Sequence, residues 1–359
     1  MTAARAPGAA VASPAPEGLA GRVIAWQRQH GRHALPWQRT RDPYRVWLSE
    51  IMLQQTQVTT VLGYYERFLA RFPDVAALAA APADEVLALW AGLGYYSRAR
   101  HLHRCAQAVV AEHGGRFPPS AAVLATLPGI GRSTAAAIAA FCFDERAAIL
   151  DGNVKRVLTR VLGFGGDLAE ARHERTLWAQ AEALLPEPAG MVAYTQGLMD
   201  LGATLCTQRT PRCEACPLAE PCAARRGGRP EAYPVKTRKL KRSRRALTLL
   251  WLTQGDRVWL LRRPASGIWA GLWSLPEFAS ADALGDWLAG WPGETLALPA
   301  FTHVLTHLDL AISPWRHVLP PRARRDPALQ ARWPEGRWVA RDELAAFGLP
   351  APVAKLLLA

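Results

Sequence analysis

The chain has 359 residues, enough for about two domains of roughly 150 residues, each with a sizeable core. Its net charge of +13 points to a polyanionic partner. No stretch approaches the roughly 18 apolar residues of a membrane span, residues 1–16 lack the apolar centre of a secretory signal, and six cysteines in a chain this long do not form a secreted disulfide framework. No membrane partner and a reducing cytoplasmic setting are expected.

In chain order, residues 1–18 are rich in Ala, Pro and Gly and read as a disordered tail. Residues 19–205 read as mostly helical, punctuated by Gly31, Pro36, Pro73, Pro82, Gly114-Gly115, Pro118-Pro119, Gly163 to Gly166 and Pro186 to Gly190. The helical domain is expected to run from 19 to 224. A linker over 225–245 follows, with ten basic residues against one acid, Glu231, which leaves only +4 for the rest of the chain. The basic linker therefore argues for nucleic acid more strongly than the bulk charge does. Residues 246–359 change character. Ala246–Thr253 and Arg257–Arg263 read as strands of a hairpin around Gln254-Gly255-Asp256. His303–Ser313 reads as a further strand, and Ala281–Ala289 and Asp342–Phe347 as helices. The fold class is thus a mainly α domain followed by a small α+β domain, with no internal repeat.

Within the helical part, Leu127-Pro128-Gly129-Ile130-Gly131 lies between an apolar segment, Ala121 to Thr126, and an alanine-rich helix, Thr134 to Phe143. Gly129 and Gly131 allow a tight turn and close approach of a phosphate, while the first amides of the next helix remain unpaired. Helix–GxG–helix over 121–143 thus reads as a phosphate cradle that ignores base sequence, or else as a loop between two packed helices. Eight residues past Phe143 stands Asp151, with Asn153, Lys155 and Arg156 beside it.

Cys206, Cys213, Cys216 and Cys222 follow the pattern C-x6-C-x2-C-x5-C over 206–222. Structural zinc competes for such a set, but zinc ribbons use two C-x2-C knuckles and this stretch has one. Four thiols on one short loop suit a 4Fe–4S cubane better, with Arg209 and Arg212 nearby.

The GxG hairpin, the following aspartate and the cysteine spacing resemble the helix-hairpin-helix DNA glycosylases of the endonuclease III superfamily. Within it, Trp47 to Val58 (WLSEIMLQQTQV), Gly92 to Arg100 (GLGYYSRAR) and Leu150 to Arg160 (LDGNVKRVLTR) are similar to adenine DNA glycosylases of the MutY type. The resemblance covers about 19–359.

Glu50 is the one carboxylate in the apolar run Trp47 to Leu53, flanked on its face by Val46 and Leu53, which predicts partial desolvation and a raised pKa. The resemblance implies that Glu50 is the acid that protonates the leaving adenine, Asp151 the anion that stabilises the sugar cation, and Asn153 a hydrogen-bond partner of the pair. Bifunctional relatives carry a Schiff-base lysine after the hairpin; here that position is Ser133, so base removal without strand cleavage is expected. The resemblance further implies that Gln54, Gln55, Leu93 and Tyr95 wedge into the duplex, alongside DNA contacts at Gly129, Gly131 and Ser133. Trp37, Leu53 and Gln196 would form the adenine pocket, although Gln38 stands where relatives often carry arginine.

Arg262 to Glu277 is similar to the MutT-like (Nudix-type) domain of these enzymes. Residues 278–300 offer only Asp282, Asp286 and Glu294 where a hydrolase needs a helix with a glutamate cluster and an arginine, so recognition without hydrolysis is expected. Thr306 and His307, in Leu305-Thr306-His307, fall where relatives read the oxidised guanine, with Tyr95 beside it; strand packing is the alternative role for the two. The implied partner is double-stranded DNA with adenine opposite 8-oxoguanine or guanine, bound by a monomer in a bacterial cytoplasm, at the nucleoid. The alternatives are a bifunctional endonuclease III-like glycosylase and AP lyase, a DNA-binding module without activity, and a nucleotide hydrolase.

Overall fold

The computed structural model describes residues 18–238, 241–323 and 325–358. The predicted tail lies outside them, apart from Gly18. Among the described residues two compact units form, 18–55 with 108–238 and 56–107 with 241–358.

The first unit is helical. It contains α1 (Leu19–His30) and α2 (Pro43–Leu53). Later in the chain it takes in the end of α6 (Ser97–His113), which follows α3 (Val58–Arg71), α4 (Val75–Ala80) and α5 (Ala83–Trp90) of the other unit. It continues through α7 (Ala121–Leu124), α8 (Arg132–Phe143), α9 (Gly152–Leu162), α10 (Ala171–Ala183), α11 (Met191–Thr204) and α12 (Ala223–Arg226). The centre is α9, whose Val154, Val157, Leu158 and Val161 pack with Leu19 and Val23 of α1 and Leu198 and Leu201 of α11. Asp151 caps α9 by accepting from Val154 N at 2.7 Å, and Gly163 closes it at φ 63°. Helices α1 and α11 cross at Gly197, where a Cβ would lie 2.6 Å from Val23 Cγ1, so only glycine permits that approach.

The hairpin before α8 is pinned by buried Leu127 and Ile130, with Ile130 N donating to Leu127 O at 3.1 Å. Gly129 takes φ 78° there, the left-handed turn glycine permits.

The second unit joins α3, α4, α5 and the first turns of α6 to the carboxy-terminal α+β part. There β1 (Ser243–Gln254) and β2 (Arg257–Arg262) form the predicted hairpin, with Gly255 at φ 61°. Then come β3 (Trp273–Ser274), β4 (Glu277–Phe278), α13 (Ala281–Leu288), β5 (Glu294–Ala297), β6 (Phe301–Val304), β7 (Leu308–Leu319), α14 (Asp326–Arg332), β8 (Arg337–Ala340) and α15 (Ala351–Leu357). One sheet runs β3-β2-β1-β7-β5, with β1 and β7 parallel over twelve residues.

One expectation needs correction. His303–Ser313 is not one strand: Leu305–His307 turn between β6 and β7, and Leu305 N donates to Leu308 O at 2.8 Å. The break lets β6 fold back antiparallel on β7, pairing Phe301 with Ile312, which completes the ladder on the side of β7 away from β1. Asp342–Phe347 is helical as expected, in the tighter 3₁₀ form over Arg341–Ala346.

Candidate active site

Within the helical unit, α2 and α9 bring together the two carboxyl groups that matter. Asp42 starts α2 by accepting from Tyr44 N at 2.9 Å, with Pro43 in the first turn. The helix buries Val46, Trp47, Leu48, Ser49, Ile51 and Met52, leaving Glu50 half-buried among them. Burial, with the negative charge of Asp151 adding to it, pushes the Glu50 carboxyl up to about 8. Glu50 therefore keeps its proton near neutral pH.

Asp151 is also raised by burial, but four groups oppose this: the backbone N–H groups of Val154 and Asn153 and the charges of Arg156 and Lys155. The start of α9 stabilises the anionic form of Asp151. Glu50 thus keeps its proton, while backbone N–H groups and nearby cations favour the charged form of Asp151 against its burial.

The remaining predicted residues of this unit take definite places. Asn153 Oδ1 accepts from Arg156 Nη2 at 2.8 Å, and Arg156 also donates to Gly202 O and Cys206 O, both at 2.6 Å. A Cβ on Gly202 would lie 2.6 Å from Asn153 Cβ, so α11 presses directly on the start of α9. Ser133 Oγ accepts from Leu150 N at 3.0 Å, holding the backbone just before Asp151. Lys155 is engaged by Glu174. Trp37 is buried, and Leu53 is half-buried at the end of α2. Gln38 Oε1 accepts from Leu35 N at 3.2 Å. Gln54 caps α2, and Gln55 follows at φ 59°.

Gln196 Nε2 donates to Asp200 Oδ1 at 2.9 Å. Asp200, fully buried, also accepts from Arg32 through N at 2.9 Å and Nε at 2.6 Å. Neither Arg32 nor Asp200 was singled out in the sequence. The signal was present, since Asp200 is the one acid in the apolar run of α11.

Cys206, Cys213, Cys216 and Cys222 line one cavity with Val157, Leu201 and Leu205. Among the described residues no three His, Cys, Asp or Glu side chains come close enough to hold a single metal ion. Arg160, almost wholly buried, reaches this cavity and donates to Cys206 Sγ at 3.3 Å, Thr207 O at 2.7 Å, Gln208 O at 3.0 Å and Pro230 O at 2.8 Å.

In the other unit Leu93 is buried, whereas Tyr95 is 43% exposed and takes φ 48°. Among the described residues only four non-glycines have positive φ, and Gln55 and Tyr95 are two of them. Such backbone is uncommon for these residue types and concentrates where a side chain must be aimed. Tyr95 Oη lies 2.8 Å from Thr306 Oγ1, and both Thr306 and His307 are exposed on the β6–β7 turn.

Residues 48–182 match the HhH-GPD superfamily of base excision DNA repair proteins, and 247–359 match the NUDIX domain. An adenine DNA glycosylase of Buchnera aphidicola is 34% identical over 93% of this chain and 94% of its own length. The Homo sapiens adenine DNA glycosylase is 35% identical over 90% of this chain and 70% of its length. Among solved structures, a thermostable thymine-DNA glycosylase matches 58% of this chain and 95% of its own, at 29% identity and a TM-score of 0.52. Together with the hairpin, the two carboxyl groups and the carboxy-terminal sheet, these likenesses show that the chain belongs to the MutY-type adenine DNA glycosylases of the endonuclease III superfamily.

Proposed function

We propose that this protein removes adenine mispaired with 8-oxoguanine or guanine by hydrolysing its N-glycosidic bond, and that it leaves the strand uncut. The observation that carries this is the asymmetry between Glu50, kept protonated by burial, and Asp151, whose charged form is favoured by the backbone N–H groups and cations at the start of α9. Adenine is a poor leaving group until its N-7 is protonated, and Glu50 holds a proton available near pH 7. Asp151 then stabilises the cation that grows on the sugar as the C–N bond breaks, and water completes the substitution.

Ser133 and Lys155 support the monofunctional reading. The first has a hydroxyl where bifunctional relatives have an amine, and the second is tied to Glu174. We assign DNA backbone contacts to Gly129, Gly131 and Ser133, wedge roles to Gln54, Gln55, Leu93 and Tyr95, and the adenine pocket to Trp37, Leu53 and Gln196. Gln196 uses its amide donor on Asp200, which leaves its carbonyl to accept from the amino group of adenine. Tyr95, Thr306 and His307 are assigned to the base opposite. In this reading 19–224 is catalytic and 246–359 recognises the lesion, as a monomer acting on DNA in the cytoplasm. Helix α13 carries only Asp282 and Asp286, which supports recognition without nucleotide hydrolysis.

The four cysteines would hold a 4Fe–4S cluster. A cubane takes four thiolates set apart around it, which fits thiols that share a cavity without closing on a single ion. Bound there, the cluster would supply a cationic centre that keeps the loop folded.

Single-turnover assays on a duplex with adenine opposite 8-oxoguanine test the reading, with and without hot alkali. Strand breaks that need alkali, and that Glu50→Gln abolishes, are expected. Breaks without alkali would establish a lyase instead.

A further inference from the structure

Arg98 lies in the first turn of α6 and is 8% exposed, an unusual place for a guanidinium. Its Nη2 donates to Leu93 O and Gly94 O, both at 3.3 Å, and to Thr56 Oγ1 at 3.1 Å. Its Cζ stands 5.3 Å from the Trp90 ring and 5.5 Å from the Tyr95 ring. Burial pushes it down to about 10, so it remains a cation at neutral pH.

These contacts fall on two separate stretches. Leu93 and Gly94 belong to the turn that presents Tyr95, and Thr56 directly follows Gln54-Gln55 in the chain. The turn itself is strained: Gly92, Gly94 and Tyr95 have φ of 98°, 72° and 48°. A Cβ on Gly92 would lie 2.2 Å from Tyr64 Oη, so glycine fits this turn against α3 where a larger residue would displace Tyr64. The carbonyls of this turn need donors, and Arg98 supplies them from Nη2 while its planar group lies over the Trp90 and Tyr95 rings.

We propose that Arg98 is the positioning residue of the wedge: it ties the Leu93–Tyr95 turn to the segment after Gln54-Gln55 and aims Tyr95 outward for insertion into the duplex. Arg98 touches no substrate and acts through Tyr95. The proposal rests on the reading of Tyr95 as a wedge. It predicts that Arg98 matters for unstacking the target more than for holding DNA.

The test uses the full-length protein and a duplex with adenine opposite 8-oxoguanine and 2-aminopurine beside the adenine, whose fluorescence rises on unstacking. Arg98→Lys keeps the charge but loses the planar group that lies over the Trp90 and Tyr95 rings. It should lower the single-turnover rate about tenfold and at least halve the fluorescence gain, while affinity for undamaged duplex changes by less than about twofold. Tyr95→Ala should show the same pattern. In that background Arg98→Lys should change the rate by less than about twofold, because residues acting through one another are not additive. Thr56→Val, which leaves the buried cation in place, should lose about threefold and carries the test if Arg98→Lys does not fold. A full rate and full fluorescence gain in both Arg98→Lys and Thr56→Val would overturn the proposal. So would an undiminished effect of Arg98→Lys in the Tyr95→Ala background, which would make Arg98 merely structural. If Tyr95→Ala itself keeps the full fluorescence gain, the wedge reading fails and the proposal falls with it.

Discussion

The phenolic oxygen of Tyr95 and the hydroxyl of Thr306 meet at 2.8 Å, joining residues 211 positions apart. Both side chains are exposed, so the bond adds little to stability and instead fixes the two groups relative to each other. A neutral hydrogen bond of this kind is worth about 0.5–1.5 kcal/mol. Thr306→Val is therefore expected to reduce the preference for 8-oxoguanine over guanine opposite adenine by about three- to tenfold. Tyr95→Phe should do the same, and the double variant should be no worse than the more impaired single one. Binding titrations on the two duplexes check this.

The raised pKa of Glu50 sets two pH dependences with different readouts. Excision should fall as pH rises through about 8, where the acid form is lost. Stability should follow the same group. The folded state holds this proton up to about 8 and the unfolded state releases it near 4.5, so the folded state binds more protons between those values. Stability from this group is then greatest below about 4.5 and declines as pH rises through that window. Glu50→Gln should melt higher than the parent at pH 8 and close to it at pH 5, as thermal melts at the two pH values would show.

Gly202→Ala should be harmful despite its small size. The added methyl would lie 2.6 Å from Asn153 Cβ and 3.1 Å from its Cα, so the backbone of α9 beside Asp151 must shift. Overpacking of this kind costs about 1–3 kcal/mol. A lower melting temperature together with slower excision is expected. A drop in stability alone would show that the start of α9 tolerates the displacement.

Arg160 ties the cysteine loop to α9 through four acceptors. Arg160→Met keeps the bulk but leaves three carbonyls and a thiol without their donor, each a cost of about 1–3 kcal/mol when buried. With the proposed 4Fe–4S cluster in the loop, loss of its visible absorbance on purification is expected, together with a lower melting temperature. Retention of both would mean that the loop is held mainly by its cysteines.

What the sequence determined by itself is what depends on near neighbours along the chain. The helical run around Glu50 follows from apolar spacing over a few residues, and the Gly129–Gly131 turn from glycine's freedom at positive φ. The turn at Gly255-Asp256 and the cysteine spacing are local in the same sense, and the family resemblance rests on such short motifs. The tertiary structure alone decided what depends on partners far away. Nothing local marks β1 and β7 as parallel neighbours, or shows that β7 needs β6 folded back on it, so His303–Ser313 reads as one strand until that pairing is seen. The ion pair of Arg32 with Asp200, 168 residues apart, and the seat of Arg98 under the Tyr95 turn are likewise invisible in sequence. A buried charge is stable only where its partners converge, and that convergence is a property of packing rather than of spacing.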